Sequence, residues 1–204
     1  VDDAQAILRV TLVAPYLRGL QFIAAVQGRG GWPAVNNAHR RPPATSEQVL
    51  HPDKYFAREP AEAVRVPEND ALVAAGFDRI EEDTLGELEL GVYLGQDRPS
   101  GTDEQAAAGW AGDRLVVYRR NGKAAAIWWT TWDSELDAQE AFLAARSVSP
   151  KDPNARVERK GRAVWIVRGL PHRLHRAARS DFNSFARRLK NQPPPPEVRP
   201  SLVY

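Results

Sequence analysis

At 204 residues, with 43% hydrophobic and 26% charged side chains, the chain is long enough to bury a core and too apolar to be disordered over most of its length. It has no cysteine, which excludes disulfides, thiolate zinc sites and Cys-based redox chemistry. The formal net charge of +2 conceals a split, because residues 59–104 hold thirteen acids against three Arg and residues 151–190 hold twelve Lys/Arg against three acids.

There is no methionine, even at position 1, so the first residue is expected to be a processing site or an engineered boundary. Residues 4–27 carry apolar side chains on most of a helical circumference, the pattern of a deeply buried helix. Arg9, Pro15, Arg18 and Gly19 argue against a membrane span, since each Arg at mid-bilayer costs roughly 2.5–3.5 kcal/mol. Gly28-Arg29-Gly30-Gly31 ends this helix, and Trp32-Pro33 opens a short second one with Pro in its first turn. Thr45-Ser46-Glu47-Gln48 has capping-box spacing, heading a helix that stops before Pro52. Residues 58–78 read as an irregular connection. Thr84-Leu85-Gly86-Glu87 is a second capping-box spacing, for a helix to about Leu94. A polar loop over 96–102 and a short helix over 103–108, ended by Gly109, follow.

Beyond Gly112 the period becomes that of strands. Residues 114–120 and 124–132 flank Asn121-Gly122, a strong hairpin signal. Asp133-Ser134-Glu135 caps a helix to about Arg146, and 149–154 is a turn-rich loop. Residues 156–160 and 163–168 form a second hairpin around Gly161, and Pro171 leads into a helix over 172–190. The fold class is α+β: an N-terminal helical segment, then a small antiparallel sheet in the order β-β-α-β-β-α with helices on one face. The expected divisions are a helical segment over 1–75, an α+β domain over 76–191 and a Pro-rich tail over 192–204, with polyproline II geometry.

No complete catalytic or metal-binding constellation emerges. His172 and His175 are three apart on a helix, but Arg173, Arg176 and Arg179 oppose a cation there. His51 and His39 stand at helix ends, where histidine commonly satisfies backbone carbonyls. Glu81, Glu82, Asp83, Glu87 and Glu89 offer carboxylates for acid–base work, yet Glu87 is accounted for as a capping-box residue. No serine has a nucleophile-elbow context, and Gly28-Arg29-Gly30-Gly31 is not a phosphate loop. In the strand over 124–132, Trp129 falls on the face opposite Trp128 and Trp132; it is either core or an exposed partner contact.

Several segments in order resemble a group of zinc-metallopeptidase-like exported or surface proteins of bacteria and archaea. They are Pro15-Tyr16 with Gly19 and Phe22; Gly30-Gly31-Trp32; the run Arg41-Pro42-Pro43-Ala44-Thr45-Ser46-Glu47-Gln48-Val49-Leu50-His51-Pro52-Asp53-Lys54-Tyr55; Asp83-Thr84-Leu85-Gly86-Glu87-Leu88; Ala107-Ala108-Gly109-Trp110-Ala111-Gly112-Asp113-Arg114; and Trp132-Asp133-Ser134-Glu135 with Asp137-Ala138. The resemblance implies a zinc-binding His-Glu-Leu-x-His helix and a later Glu upstream of these segments. No position here matches either, so no catalytic residue, metal ligand or cofactor is carried over.

The resulting expectation is a non-catalytic C-terminal portion of an exported metallopeptidase-like protein, an accessory or partner-binding domain beside the metallopeptidase-like domain. The alternative is a stand-alone module that uses Arg176, Arg179, Arg187 and Lys190 on the last helix, with Trp129 as a further contact, to bind an anionic partner: nucleic acid, lipid or acidic protein. A protein partner is expected and a nucleic acid is not, because the basic segment is expected to be complemented by the acids of 59–104 within the fold.

Overall fold

The structure, a computed structural model, describes residues 2–96, 102–148 and 152–191. The expected tail over 192–204 and parts of the loops expected at 96–102 and 149–154 lie outside the described residues. The first half is a helical layer: α1 (Asp2–Arg40), broken at Gly30 and Gly31, then α2 (Ser46–Leu50) and α3 (Pro52–Ala57). Thr45 caps α2, its hydroxyl accepting the Gln48 amide at 3.1 Å, while the Gln48 side chain reaches back to accept the amide of Ala44 at 2.9 Å. The capping box is thus present with its return bond shifted by one residue. Pro52 opens α3 in the position where its missing N–H costs nothing.

The second half is a five-stranded antiparallel sheet in the order β1-β2-β3-β5-β4, which makes the chain α+β as expected. Its strands are β1 (Asp78–Asp83), β2 (Trp110–Arg120), β3 (Lys123–Trp132), β4 (Arg156–Lys160) and β5 (Ala163–Arg168). Around them stand α4 (Asp70–Ala74), α5 (Gly86–Leu94), α6 (Glu104–Ala107), α7 (Glu135–Ser147) and α8 (His172–Lys190). The β2–β3 hairpin turns at Asn121-Gly122, where φ is 50° and 75° and Arg120 pairs with Lys123. Two successive positive φ values give the turn whose twist matches that of the strands.

Helices cover both faces of the sheet, not one. On the first, Trp129 and Trp165 pack beneath Phe182 and Phe185 of α8. On the second, Trp128, Trp132, Val164 and Ile166 pack against Leu90 of α5 and against Ala138, Ala141 and Ala145 of α7. The reason is visible in β5, where Ala163 to Val167 are all buried. A strand that is apolar on both sides has to be covered on both.

One further expectation fails, and one strand had no expectation behind it. The segment 58–78 is not a mere connection, because Val64, Val66, Leu72 and Phe77 enter the core under α8, so the boundary expected at residue 75 falls inside a core. β1 is a polar edge strand, unmarked by any apolar alternation, and a bulge between Arg79 and Glu81 shifts its register on β2.

Replacing Gly122 with Val places a β-branched residue at positive φ. It is expected to lower stability by about 1–2 kcal/mol in urea unfolding while leaving the strand register intact.

Candidate docking surface

α1 is written for burial but is buried on one side only. Ala14, Phe22 and Val26 face inward, the last two joining Val35, Ala38 and Tyr55 in a small core of the helical layer. Tyr55 meets Phe22 edge-on at 5.0 Å, and Arg29 lies over the Phe56 ring at 4.3 Å while pairing with Asp53. On the opposite side Leu12, Tyr16 and Leu20 are 68%, 79% and 69% exposed, flanked by Leu8, Val13 and Leu17. These positions repeat every three to four residues and form one stripe along the helix. The deep burial expected from composition is therefore absent among the described residues. Beside the stripe runs a groove of about 520 Å³ between α1, α5 and α6, lined by Val10, Val13, Ala14, Leu17, Leu88 and Thr102 among others. Arg18 pairs with Glu104 at its rim.

Behind this surface a buried polar junction fastens the helical layer to the sheet. The Lys54 ammonium donates to Glu47 at 2.6 Å, Glu59 at 2.9 Å and Asp133 at 2.5 Å. Glu47 and Glu59 are buried, and Asp133 sits in the turn between β3 and α7. Beside it, His51 donates to the buried Glu87 of α5 at 2.7 Å. Two local devices complete the joint. The Asp113 carboxylate accepts the amides of Leu85 and Gly86 at 3.0 and 2.9 Å and so caps α5 from β2. Ser46 accepts the Leu88 amide, and a Cβ on Gly86 would stand 2.6 Å from its oxygen.

Glu87 is thus not the capping-box residue its spacing implied. Thr84 donates to the Asp113 carbonyl, and α5 begins without a side-chain cap from its own N-cap residue. Nor does His51 cap a backbone carbonyl. The buried acid is worth more to it, because a charge-assisted bond in a desolvated site is stronger than one to a neutral carbonyl.

Three carboxylates around one ammonium leave negative charge uncompensated in a site with little water. Burial pushes Glu47 up to about 7 against the pull of Lys54, and burial also raises Glu87 and Asp133. Burial alone would lower Lys54, but Glu47, Asp133 and Glu59 raise it well above its ordinary value. The hydrogen bond to Glu87 raises His51. Asp113 rises to about 6 through burial, despite the two amides it accepts. Glu47, Glu59 and Asp133 have carboxylate oxygens close enough to share a cation, and the Lys54 ammonium occupies that position. With each N–H directed at a carboxylate, Lys54 is held protonated and has no free electron pair. The cluster is a lock, not a nucleophile.

The residues singled out in the sequence divide differently. Trp129 is 1% exposed and stacks on Phe185 at 4.9 Å, so it is core and not a partner contact. Arg176, Arg179, Arg187 and Lys190 share the outer side of α8, with Arg179 on Glu158 at 2.7 Å. His172 and His175 each donate to a backbone carbonyl, of Pro153 and Leu170, at 2.7 Å and do not converge on a metal position. Sequence reasoning missed Lys54, Glu59, Asp133 and Asp113 as a joint. Lys54 and Asp133 lie seventy-nine positions apart, and no local pattern pointed to their meeting. Among the described residues no helix is long and apolar enough to cross a membrane.

The family described as a domain of unknown function, DUF8575, matches residues 71–179, which span the sheet with α4–α7 and the first part of α8. No curated protein and no solved structure matches the chain.

Lys54→Met leaves the buried Glu47 and Glu59 and the half-buried Asp133 without a counter-charge and is expected to cost about 3–5 kcal/mol at pH 8, measured by denaturant unfolding. The deficit should shrink at pH 5, where those acids can take protons. The wild-type chain has its own pH dependence. Glu47 is raised from 4.5 to about 7, so the folded chain holds more protons than the unfolded one across that window, and stability falls as pH rises through it. His51, also raised, acts in the same direction above its ordinary value of 6.5. His175 is lowered by burial and opposes them below that value, but comparison of wild type with Glu47→Gln cancels its part. Thermal melts from pH 5 to pH 8 are expected to fall less steeply for Glu47→Gln than for wild type.

Proposed function

As the chain belongs to the DUF8575 family of domains of unknown function, its role has to be read from its own surfaces, and we propose that it is a non-catalytic docking domain that α1 joins to a helical, metallopeptidase-like domain. The observation that carries this reading is the mismatch on α1. Its composition is that of a helix buried all round, and one side of it lies open, with six large apolar residues between Leu8 and Leu20. Contiguous apolar patches of this kind mark partner surfaces. The partner that suits the stripe is an apolar helical face, because the exposed residues are aliphatic or tyrosine and follow helical spacing.

The resemblance of the segments around the polar junction to metallopeptidase-like proteins supplies the identity of that partner, and with it an exported or surface location. In this reading the zinc chemistry belongs to the partner. This chain contributes a rigid apolar wall, held in place by Lys54.

Co-purification with a metallopeptidase-like domain encoded beside or in frame with the chain tests the proposal. Wild type is expected to retain that domain, and Leu12→Glu with Leu20→Glu to weaken the complex by about tenfold or more per substitution, without loss of the folded sheet. A wild-type chain that ignores the domain, or one that pairs through α1 with its own copies instead, would count against the reading.

A further inference from the structure

The outer face of α8 is a second surface, unrelated to α1. Every exposed position of this helix except His172 and Ser180 is cationic: Arg173, Arg176, Arg179, Arg187, Arg188 and Lys190. At 19 residues the helix is about 28 Å long, so the charges run the length of a ridge. The acids of 59–104 do not neutralise it. Among the described residues the ion pair that joins the basic segment to that region is Arg162 with Glu62, off the helix. The expected internal complement is therefore not what the arginines find.

The acids beside the ridge are already engaged. Glu158 accepts from Arg156 as well as Arg179, and Asp181 accepts from Asn69 at 2.5 Å. Among the described residues Arg173, Arg176, Arg187, Arg188 and Lys190 have no carboxylate within ion-pair distance. The helix dipole accounts for cations in the last turn but not for Arg173 and Arg176 near the start, where the dipole opposes them.

We propose that the outer face of α8 docks on the phosphodiester backbone of a duplex nucleic acid. The chemistry of the face selects this partner among anionic surfaces. The apolar side of α8, with Leu174, Phe182, Phe185 and Leu189, is buried on the sheet, so the helix cannot lie in a bilayer with its apolar half inserted. The exposed side has no aliphatic or aromatic anchor, which a protein interface needs at its centre. It has no exposed Trp, Tyr or Phe on which unpaired bases could stack, since Trp129, Trp165, Phe182 and Phe185 are all buried. What it offers is arginine with a few hydroxyl and amide groups, Ser180, Asn183 and Ser184, the side chains that contact phosphate. Arginine outnumbers lysine five to one on the ridge, and its planar fork matches phosphate geometry.

Fluorescence anisotropy with a labelled DNA duplex, at a series of salt concentrations, tests the proposal on the whole chain. Binding is expected to persist at physiological salt and to fall linearly in log–log form, with a slope of about −0.9 per phosphate contacted. Arg176→Glu with Arg187→Glu should weaken it at least tenfold and flatten the slope by about 2, with circular dichroism unchanged. If that variant fails to fold, Arg173→Gln with Arg188→Gln carries the same expectation. The proposal is overturned by absence of duplex binding even at low salt or by unchanged affinity in a folded variant. Tighter binding to polyglutamate, a single strand or phosphatidylserine vesicles than to the duplex overturns it equally.

Discussion

The Lys54 ammonium stands between two parts of the chain whose apolar clusters are separate among the described residues. The helical layer has its own cluster around Phe22, Val26 and Tyr55, while the sheet has one cluster on each face. Where the layer meets the sheet, the principal links are polar: Lys54 to Asp133, His51 to Glu87, Ser46 to the amide of Leu88 and Arg18 to Glu104. Apolar contact is tolerant of sliding, whereas a desolvated ammonium with three fixed acceptors is satisfied in one arrangement. The direction in which α1 presents its open side follows from that arrangement. A net negative buried cluster is also costly, and the raised proton affinity of Glu47 is the form that cost takes.

Residues from four separate stretches of the chain gather at this joint. Glu47, His51 and Lys54 come from the Thr45–Tyr55 run, Gly86 and Glu87 from the start of α5, Asp113 from β2, and Asp133 from the end of β3. A pattern of His, Glu and Asp in a sequence invites an enzymatic reading. Here His51 pairs with Glu87, and Glu47, Glu59 and Asp133 pair with Lys54, so these groups orient the helical layer on the sheet.

Two surfaces remain once the joint and the cores are accounted for, and they differ in kind. The open side of α1 is apolar and nearly uncharged, suited to a partner that removes it from water. The ridge of α8 is cationic and without apolar anchors, suited to a partner that stays hydrated and supplies charge. They arise from opposite uses of an amphipathic helix. α8 spends its apolar side on the sheet and exposes charge, while α1 has more apolar circumference than the described residues cover.

What the sequence by itself determined are the features whose signals are local. The Asn121-Gly122 turn, the Ser134 cap of α7, the second hairpin around Gly161 and the amphipathic α8 each depend on residues a few positions apart, and each stands where it was expected. The polar strand β1 has no local signal, because its place at the sheet edge comes from pairing with β2. Alternation in β5 could not say that both faces were covered, since a strand apolar on both sides has no polar face to orient it. Glu87 satisfied a capping pattern and was drawn instead to His51, thirty-six positions away, because a buried charge outweighs a surface cap. Asp133 lies seventy-nine positions from Lys54, and no periodicity links them. The tertiary structure alone decided that these charges meet, and that α1, apolar all round, keeps one side in water: both depend on which surfaces the rest of the chain brings near, and composition does not carry that information.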